Sequence, residues 1–292
     1  DFNLGLSWYL ANTFNQTFDP QISVSSGYTT IYLQTGYVRN TGLELSLGYG
    51  HTWNNNFRWD SNFTLSHNKN KIKELVRDYV HPETGELINK DRLDVGGLGK
   101  ARFILKEGGT LGDLYTQSDL KRDDNGMVDI DPTGIVAIEN NLPDIKLGSV
   151  FPKANLAWSN HFSWKGISLS ALFTARIGGI VYSATEAAMD QYGVSERSAL
   201  ARDNGGVLVN NRTLVDAQNY YTTIGSESGL PQYYTYNATN VRLQEASIGY
   251  LIPRKWLGNV CDIQVSVIGR NLWMIYNKAP FDPESVATTD NY

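Results

Sequence analysis

The chain has 292 residues, enough for one large or two ordinary domains, and carries a formal net charge of −5. That charge, with no basic stripe to offset it, argues against a nucleic-acid partner, and a single cysteine, Cys261, excludes an internal disulfide framework. Only 19% of residues are charged, against 27 Gly, 17 Tyr and 7 Trp, which suits an all-β protein. No apolar run approaches the ~18 residues of a transmembrane helix, which leaves a membrane β-barrel open.

Residues 2–10 alternate strictly, with Phe2, Leu4, Leu6, Trp8 and Leu10 on one face. Period-2 alternation predicts a strand with one apolar side. The chain opens inside this strand text with no leader in front of it, which predicts a piece of something longer. A polar stretch runs to about Gly36. Leu43, Leu45, Leu47 and Tyr49 then share a face, and Asn54-Asn55-Asn56 predicts a hairpin turn. The returning strand puts Phe57, Trp59, Phe63 and Leu65 on the apolar side.

Residues 69–100 read as charged loop text. A weaker strand pair is predicted at about 101–107 and 110–118, turning at Gly108-Gly109, before another polar loop to Lys146. Leu156, Trp158, Phe162 and Trp164 resume the alternation. After the tight turn Lys165-Gly166 it continues in Ile167, Leu169, Ala171, Phe173 and Ala175. Between Val181 and Tyr236 lies the longest connection, helical in SATEAAMDQYG and SERSALARD with a Gly205-Gly206 stop, then polar and tyrosine-rich. A connection of that length is usually functional or disordered. In the last pair, Val241 and Leu243 are one residue out of phase with Ala246, Ile248, Tyr250 and Ile252. A β-bulge near Gln244-Glu245 restores the face. After the turn at 253–259, Ile263, Val265 and Val267 close the series.

Short turns therefore alternate with long polar loops at about 12–36, 70–100, 119–146, 181–236 and 276–292, the layout of an up-and-down outer-membrane barrel. The polar face is Ser, Thr, Asn and Gly with isolated charges, which suits a lumen, and the apolar face suits lipid. Aromatics gather where strands meet turns (Trp53 and Phe57, Phe162 and Trp164, Trp256), as in interfacial girdles. The fold expected is an antiparallel transmembrane β-barrel, partial, with about nine strands; that odd count points to a missing part. A soluble β-sandwich adhesin or carbohydrate-binding module is the alternative, with the aromatics as core, and a glycoside hydrolase ranks third.

The wording adds to the pattern. Thr239–Glu245, Ser247–Tyr250, Pro253 and Gly269–Leu272 resemble the C-terminal part of SusC-like TonB-dependent transporters. Asn40–Leu45, Ser66–Lys71, Glu107-Gly108 with Gly112, and Ala279–Pro283 agree and fall in the expected order. The resemblance implies part of a barrel of about 22 strands, lacking here the plug domain, the TonB box and the final strand. It also implies a Bacteroidetes-type outer membrane, a SusD-like surface lipoprotein as lid, TonB as energy source, and import of glycans or peptides.

No site for covalent chemistry assembles, and no cofactor is expected. Asp123-Asp124-Asn125-Gly126 with Asp129 and Asp131 departs from EF-hand spacing at Met127, so a turn is the reading. His51, His67, His81 and His161 lack metal spacing. Cys261 shares the phase of Ile263 and reads as lipid-facing and inert. Arg58, Asp60, Arg176, Arg242 and Arg270 fall in lumen phase, either lining the channel, pairing with the plug, or forming ion pairs within the wall. Tyr220, Tyr221, Tyr233, Tyr234 and Tyr236 either stack on ligand or meet the lid.

Overall fold

The computed structural model describes residues 1–18, 33–34, 36–53, 56–80, 85 and 87–284. The turn residues Asn54 and Asn55, most of the 12–36 loop, His81 and the chain after Glu284 lie outside them. Seven long strands form one sheet among the described residues: β1 (Phe2–Phe14), β2 (Tyr37–Thr52), β3 (Arg58–Glu74), β4 (Ala154–Trp164), β5 (Ile167–Ile177), β6 (Asn240–Ile252) and β7 (Ile263–Asn277). They pair antiparallel in chain order, so the sheet is a meander with free edges at β1 and β7. This is a segment of an up-and-down barrel wall.

Register turns the alternation into continuous rows. Leu4, Leu47, Phe63, Trp158, Phe173, Leu243 and Trp273 stand side by side across all seven strands. Leu6, Leu45, Leu65, Leu156, Ala175 and Val241 form the row beside it. No second sheet covers this face: Leu4 is 64% exposed, Trp158 46% and Trp273 63%. Two polar side chains on this face are satisfied by indoles, Trp59 Nε1 donating to Asn160 Oδ1 (3.1 Å) and Trp158 Nε1 to Ser61 Oγ (3.0 Å). Such pairing is what an apolar solvent demands, because neither donor nor acceptor there finds water.

The outward phase from Leu43 on β2 to Trp53 just beyond it, interrupted only by His51, covers about ten residues, or roughly 24 Å of height for a strand tilted near 45°. That height matches a barrel's lipid-facing zone of about 25 Å. At the short-turn end Trp53 and Phe57 pack 5.3 Å apart and Trp59 stacks on Phe162 at 6.1 Å, a belt of rings at one level. The turn at Lys165-Gly166 has positive φ at both residues (47° and 88°), the geometry that matches strand twist. The predicted bulge is present. Leu172 pairs with Glu245 and Phe173 with Leu243, which leaves Gln244 outside the ladder. Cys261 is exposed, just before β7.

Two of the nine expected strands lie outside the wall. Ala101–Lys106 and Asp113–Thr116 join Arg92–Leu98 and Ile145–Ser149 in a separate four-stranded sheet. That sheet packs Leu93 and Leu105 against Val38 and Ile72 of β2 and β3. Residues 69–74, expected as loop, are therefore strand. Asn70 and Ile72 are buried, while Lys69, Lys71 and Lys73 on the other phase are exposed. The lysines obscured an alternation that continues one turn of loop structure beyond the apolar band.

The 181–236 connection is a folded unit. It holds α1 (Ala184–Gln191), α2 (Glu196–Asp203), α3 (Ala217–Gly225) and the short α4 (Pro231–Tyr234). Ser183, Ser195 and Asp216 cap the first three helices by accepting a backbone N–H. The unit shares a core with the 119–146 loop: Leu120 and Val136 pack with Tyr182, Val209, Val215, Ile224 and Tyr234. Asn210 exchanges two hydrogen bonds with the Val128 backbone (2.9 and 3.0 Å), which locks the two loops together.

The 119–146 loop contains an eight-residue repeat, Asp123–Ile130 and Asp131–Ile138. In each copy the leading carboxylate accepts from the backbone N–H groups two and four residues on, at 2.8–2.9 Å. The acidic text that suggested a calcium loop is thus a pair of self-capped turns.

Within the four-stranded sheet, Asp144, just before Ile145–Ser149, accepts from Arg92 at 2.7 and 2.9 Å and pairs with Lys106 at 2.9 Å. The Arg92 hydrogen bonds, aided by Lys106, hold this carboxyl far below its usual range. A depressed carboxylate stabilises the fold fully above its unfolded pKa, near 4, and progressively less as pH falls toward the lower folded value. Hydrogen-exchange protection of 92–98 and 145–149, corrected for intrinsic rates, is expected to fall below about pH 4. Asp144→Asn is expected to lower it already at neutral pH and to flatten that dependence.

Candidate functional site: a polar groove on the inner face

The face opposite the apolar rows carries its own transverse row. Ser7, Glu44, Ser66, Asn155 and Arg176 are directly opposed from β1 to β5. The next row is Gly5, Ser46, Thr64, Ala157 and Thr174. Small side chains in adjacent rows leave a concavity of about 530 Å³, with Glu284 at its rim. Asn155 is the second residue of β4 and Arg176 the penultimate residue of β5, so the groove lies toward the long-loop end.

Arg242 organises the chain that reaches this groove after β7. It is buried, and its guanidinium binds Asp282 (2.8 and 3.3 Å), Glu284 (3.4 Å) and Asn240 Oδ1 (3.3 Å). Asn277 Nδ2 donates to the Phe281 carbonyl at 2.5 Å, and the Phe281 ring meets Tyr236 edge-on at 5.5 Å. The segment after β7 is therefore folded inward over the polar face rather than away from it. A buried guanidinium with two carboxylates is costly to break, because removing either side leaves uncompensated charge.

The sequence-predicted charges separate into pairs and one exception. Arg58 binds Asp60 (2.6 and 2.7 Å) near the short turns, and Arg270 binds Glu245 at 2.9 Å beside the bulge. Both are ion pairs within the wall. Arg176 donates through Nη2 to the Val150 carbonyl at 2.6 Å, while its buried Nε has no partner. Only Arg176 of these residues lines the groove.

The tyrosines do not form an exposed stacking surface. Tyr234 is 0% exposed, its hydroxyl donates to Asp190 Oδ2 at 2.9 Å, and its ring lies under the Arg197 guanidinium. Burial raises its pKa and those of Tyr220 and Tyr233. Tyr220, Tyr221 and Tyr233 pack partly buried against the same core. A ring enclosed on both faces cannot receive a sugar, so Tyr234 is corrected from contact candidate to core residue. Glu44, Ser66, Asn155 and Glu284 were not singled out from sequence; an acidic residue in an inward phase of Ser and Gly was the available signal at Glu44.

No family model matches the chain. TonB-dependent receptor P3 of Formosa agariphila is 24% identical over 99% of the chain, which spans 29% of that receptor. TonB-dependent receptor P26 of the same organism is 27% identical over 61% of the chain, matched to 19% of its own length. The structure of the RagAB peptide transporter contains a chain of the same fold, with a TM-score of 0.68 and 19% identity over 97% of this chain and 31% of that one. The RagAB peptide importer in its "closed-closed" state aligns at 0.65. The chain thus spans under a third of the length of these relatives. The two-faced meander, the ordered sequence anchors and these relatives agree on one likeness, to part of the β-barrel of TonB-dependent receptors.

Proposed function

We propose that this chain is the C-terminal portion of the barrel wall of a TonB-dependent importer of oligosaccharides or peptides in a bacterial outer membrane. TonB acts through the plug and TonB box of the parent protein, and a SusD-like lipoprotein lids the loop side. The reading is carried by the wall's two faces: uncovered apolar rows across seven strands, backed by a polar face with a groove. A sandwich adhesin needs a second sheet over those rows. The likeness to TonB-dependent receptors supports transport over catalysis.

Every long connection leaves the same end of the sheet, and the largest two share a core. In this reading that end is extracellular. An epitope inserted at Gly205, in the exposed turn after α2, is expected to be bound by antibody on intact cells. Binding only after the outer membrane is opened would invert the topology.

A further inference from the structure

We propose that the outer face of β2 and β3, just past the apolar band at the long-loop end, binds the phosphorylated sugar headgroup of an outer-leaflet glycolipid through Lys69, Lys71, Lys73 and Arg39. The proposal rests on reading that face as lipid-facing and that end as extracellular. It concerns the surface turned away from the lumen, on two strands that each have a neighbour on both sides, so neither plug nor substrate enters it.

The first observation is a concentration of one charge. The alternation that buries Asn70 and Ile72 turns Lys69, Lys71 and Lys73 outward, where all three are exposed. Their direction is fixed from the inner side. Asn70 donates to Asn40 Oδ1 at 3.0 Å and accepts from the Leu111 N–H at 2.9 Å, and Ile72 shares a core with Val38. Across the strand pair Arg39 is directly opposite Lys71, and Thr41 is opposite Lys69. Like charges in opposed positions destabilise a sheet, and no Asp or Glu occurs in residues 10–14, 37–41 or 69–73 to relieve them. Glu74, the next acid, pairs with Arg77 at 3.9 Å. A chain of net charge −5 thus gathers cations on one patch, an arrangement that an external anion stabilises.

The second observation is height. Leu43, at the edge of the apolar band, is opposite His67, and Lys69 follows two residues on. At about 3.4 Å per residue and a tilt near 45°, Lys69, Lys71 and Lys73 stand roughly 5, 10 and 15 Å beyond that edge. A phospholipid headgroup layer is roughly 5–8 Å deep and meets only the lowest of them. A phosphorylated sugar headgroup is deeper and reaches all three. Aromatic rings frame the patch, as at a membrane interface: Phe14, 63% exposed, stacks on Tyr37 at 4.7 Å, and Trp8 lies in the Leu43 row. Arg39 is held by Tyr37 Oη (2.5 Å) and Asn12 Oδ1 (3.1 Å), so little of its freedom is lost on binding. The lysine ammonium groups bind phosphate as point charges.

The test uses the intact receptor in neutral detergent with EDTA, which removes bridging cations. It carries Cys261→Ser and an environment-sensitive fluorophore on Leu10→Cys, in the row of Thr41 and Lys69, and is titrated with phosphorylated lipid A. Replacing Lys69, Lys71 and Lys73 together by Gln is expected to weaken binding at least thirtyfold, from about fivefold per lysine at an anionic lipid surface. Stripping the phosphates from the lipid A should weaken binding to the parent receptor by a similar factor, and the Gln variant should bind stripped lipid as the parent does. Arg at the same three positions should keep the affinity. Unchanged affinity of the Gln variant, or equal binding of stripped lipid, overturns the proposal. Displacement by equimolar inorganic phosphate overturns the lipid as occupant, and equal affinity for phosphatidylglycerol overturns the sugar headgroup. A fluorophore on Leu45→Cys that brominated detergent fails to quench would instead overturn the lipid-facing wall.

Discussion

Leu45→Arg in the intact receptor is expected to destabilise folding into lipid vesicles by about 2–4 kcal/mol, the penalty for a cation on the lipid face near the midplane. Leu45 sits between Leu6 on β1 and Leu65 on β3, inside the second apolar row. The guanidinium would find no acceptor there, since each neighbour in its row is a hydrocarbon. Ser46→Arg, one residue on, is expected to cost less, because its side chain enters the polar groove instead. Urea titration of vesicle-folded receptor measures both. Unaltered folding of Leu45→Arg would count against a lipid-facing wall.

The second large effect lies in the loop unit. Tyr234→Ala is expected to destabilise that unit by about 3–5 kcal/mol, the range for deleting a fully buried aromatic side chain. The deletion removes a ring from the shared core and a hydrogen bond from Asp190, a side chain that also accepts from Ser195 (2.5 Å) and Arg197 (3.0 Å). Because the core joins 181–236 to 119–146, protease sensitivity should rise in both loops together. The wall shares no core residue with this cluster, so β1–β7 should keep their exchange protection. Cleavage in the 181–236 loop alone would show that the two loops are independent.

How much of this was legible in the sequence depended on what each segment packs against. Wall strands face lipid on one side and water on the other, so Leu43–Tyr49 and Ile167–Ala175 alternate cleanly. The phase slip at Gln244 could be counted from residues alone. The projecting end of β3 was missed because Ile72 is the single inward apolar residue among lysines, and its partner sheet comes from residues 92–106. Helix α3 was missed because AQNYYTTIG has little helix propensity; its stability comes from Ile224 and the tyrosines meeting a loop 80 or so residues upstream. The groove was half legible. Phase put Arg176 on the inner face, but only strand register shows that Glu44 and Arg176 share a row.

A lipid-facing wall requires that the environment alternate from residue to residue along one wall strand. Nitroxides placed singly at positions 43–50 of the intact receptor in bilayers report accessibility to oxygen, which partitions into lipid, and to a nickel chelate, which stays in water. The odd positions should be oxygen-accessible and shielded from nickel, and the even positions should not show that lipid signature. Oxygen accessibility that is low at every position, as inside a two-sheet core, would contradict it.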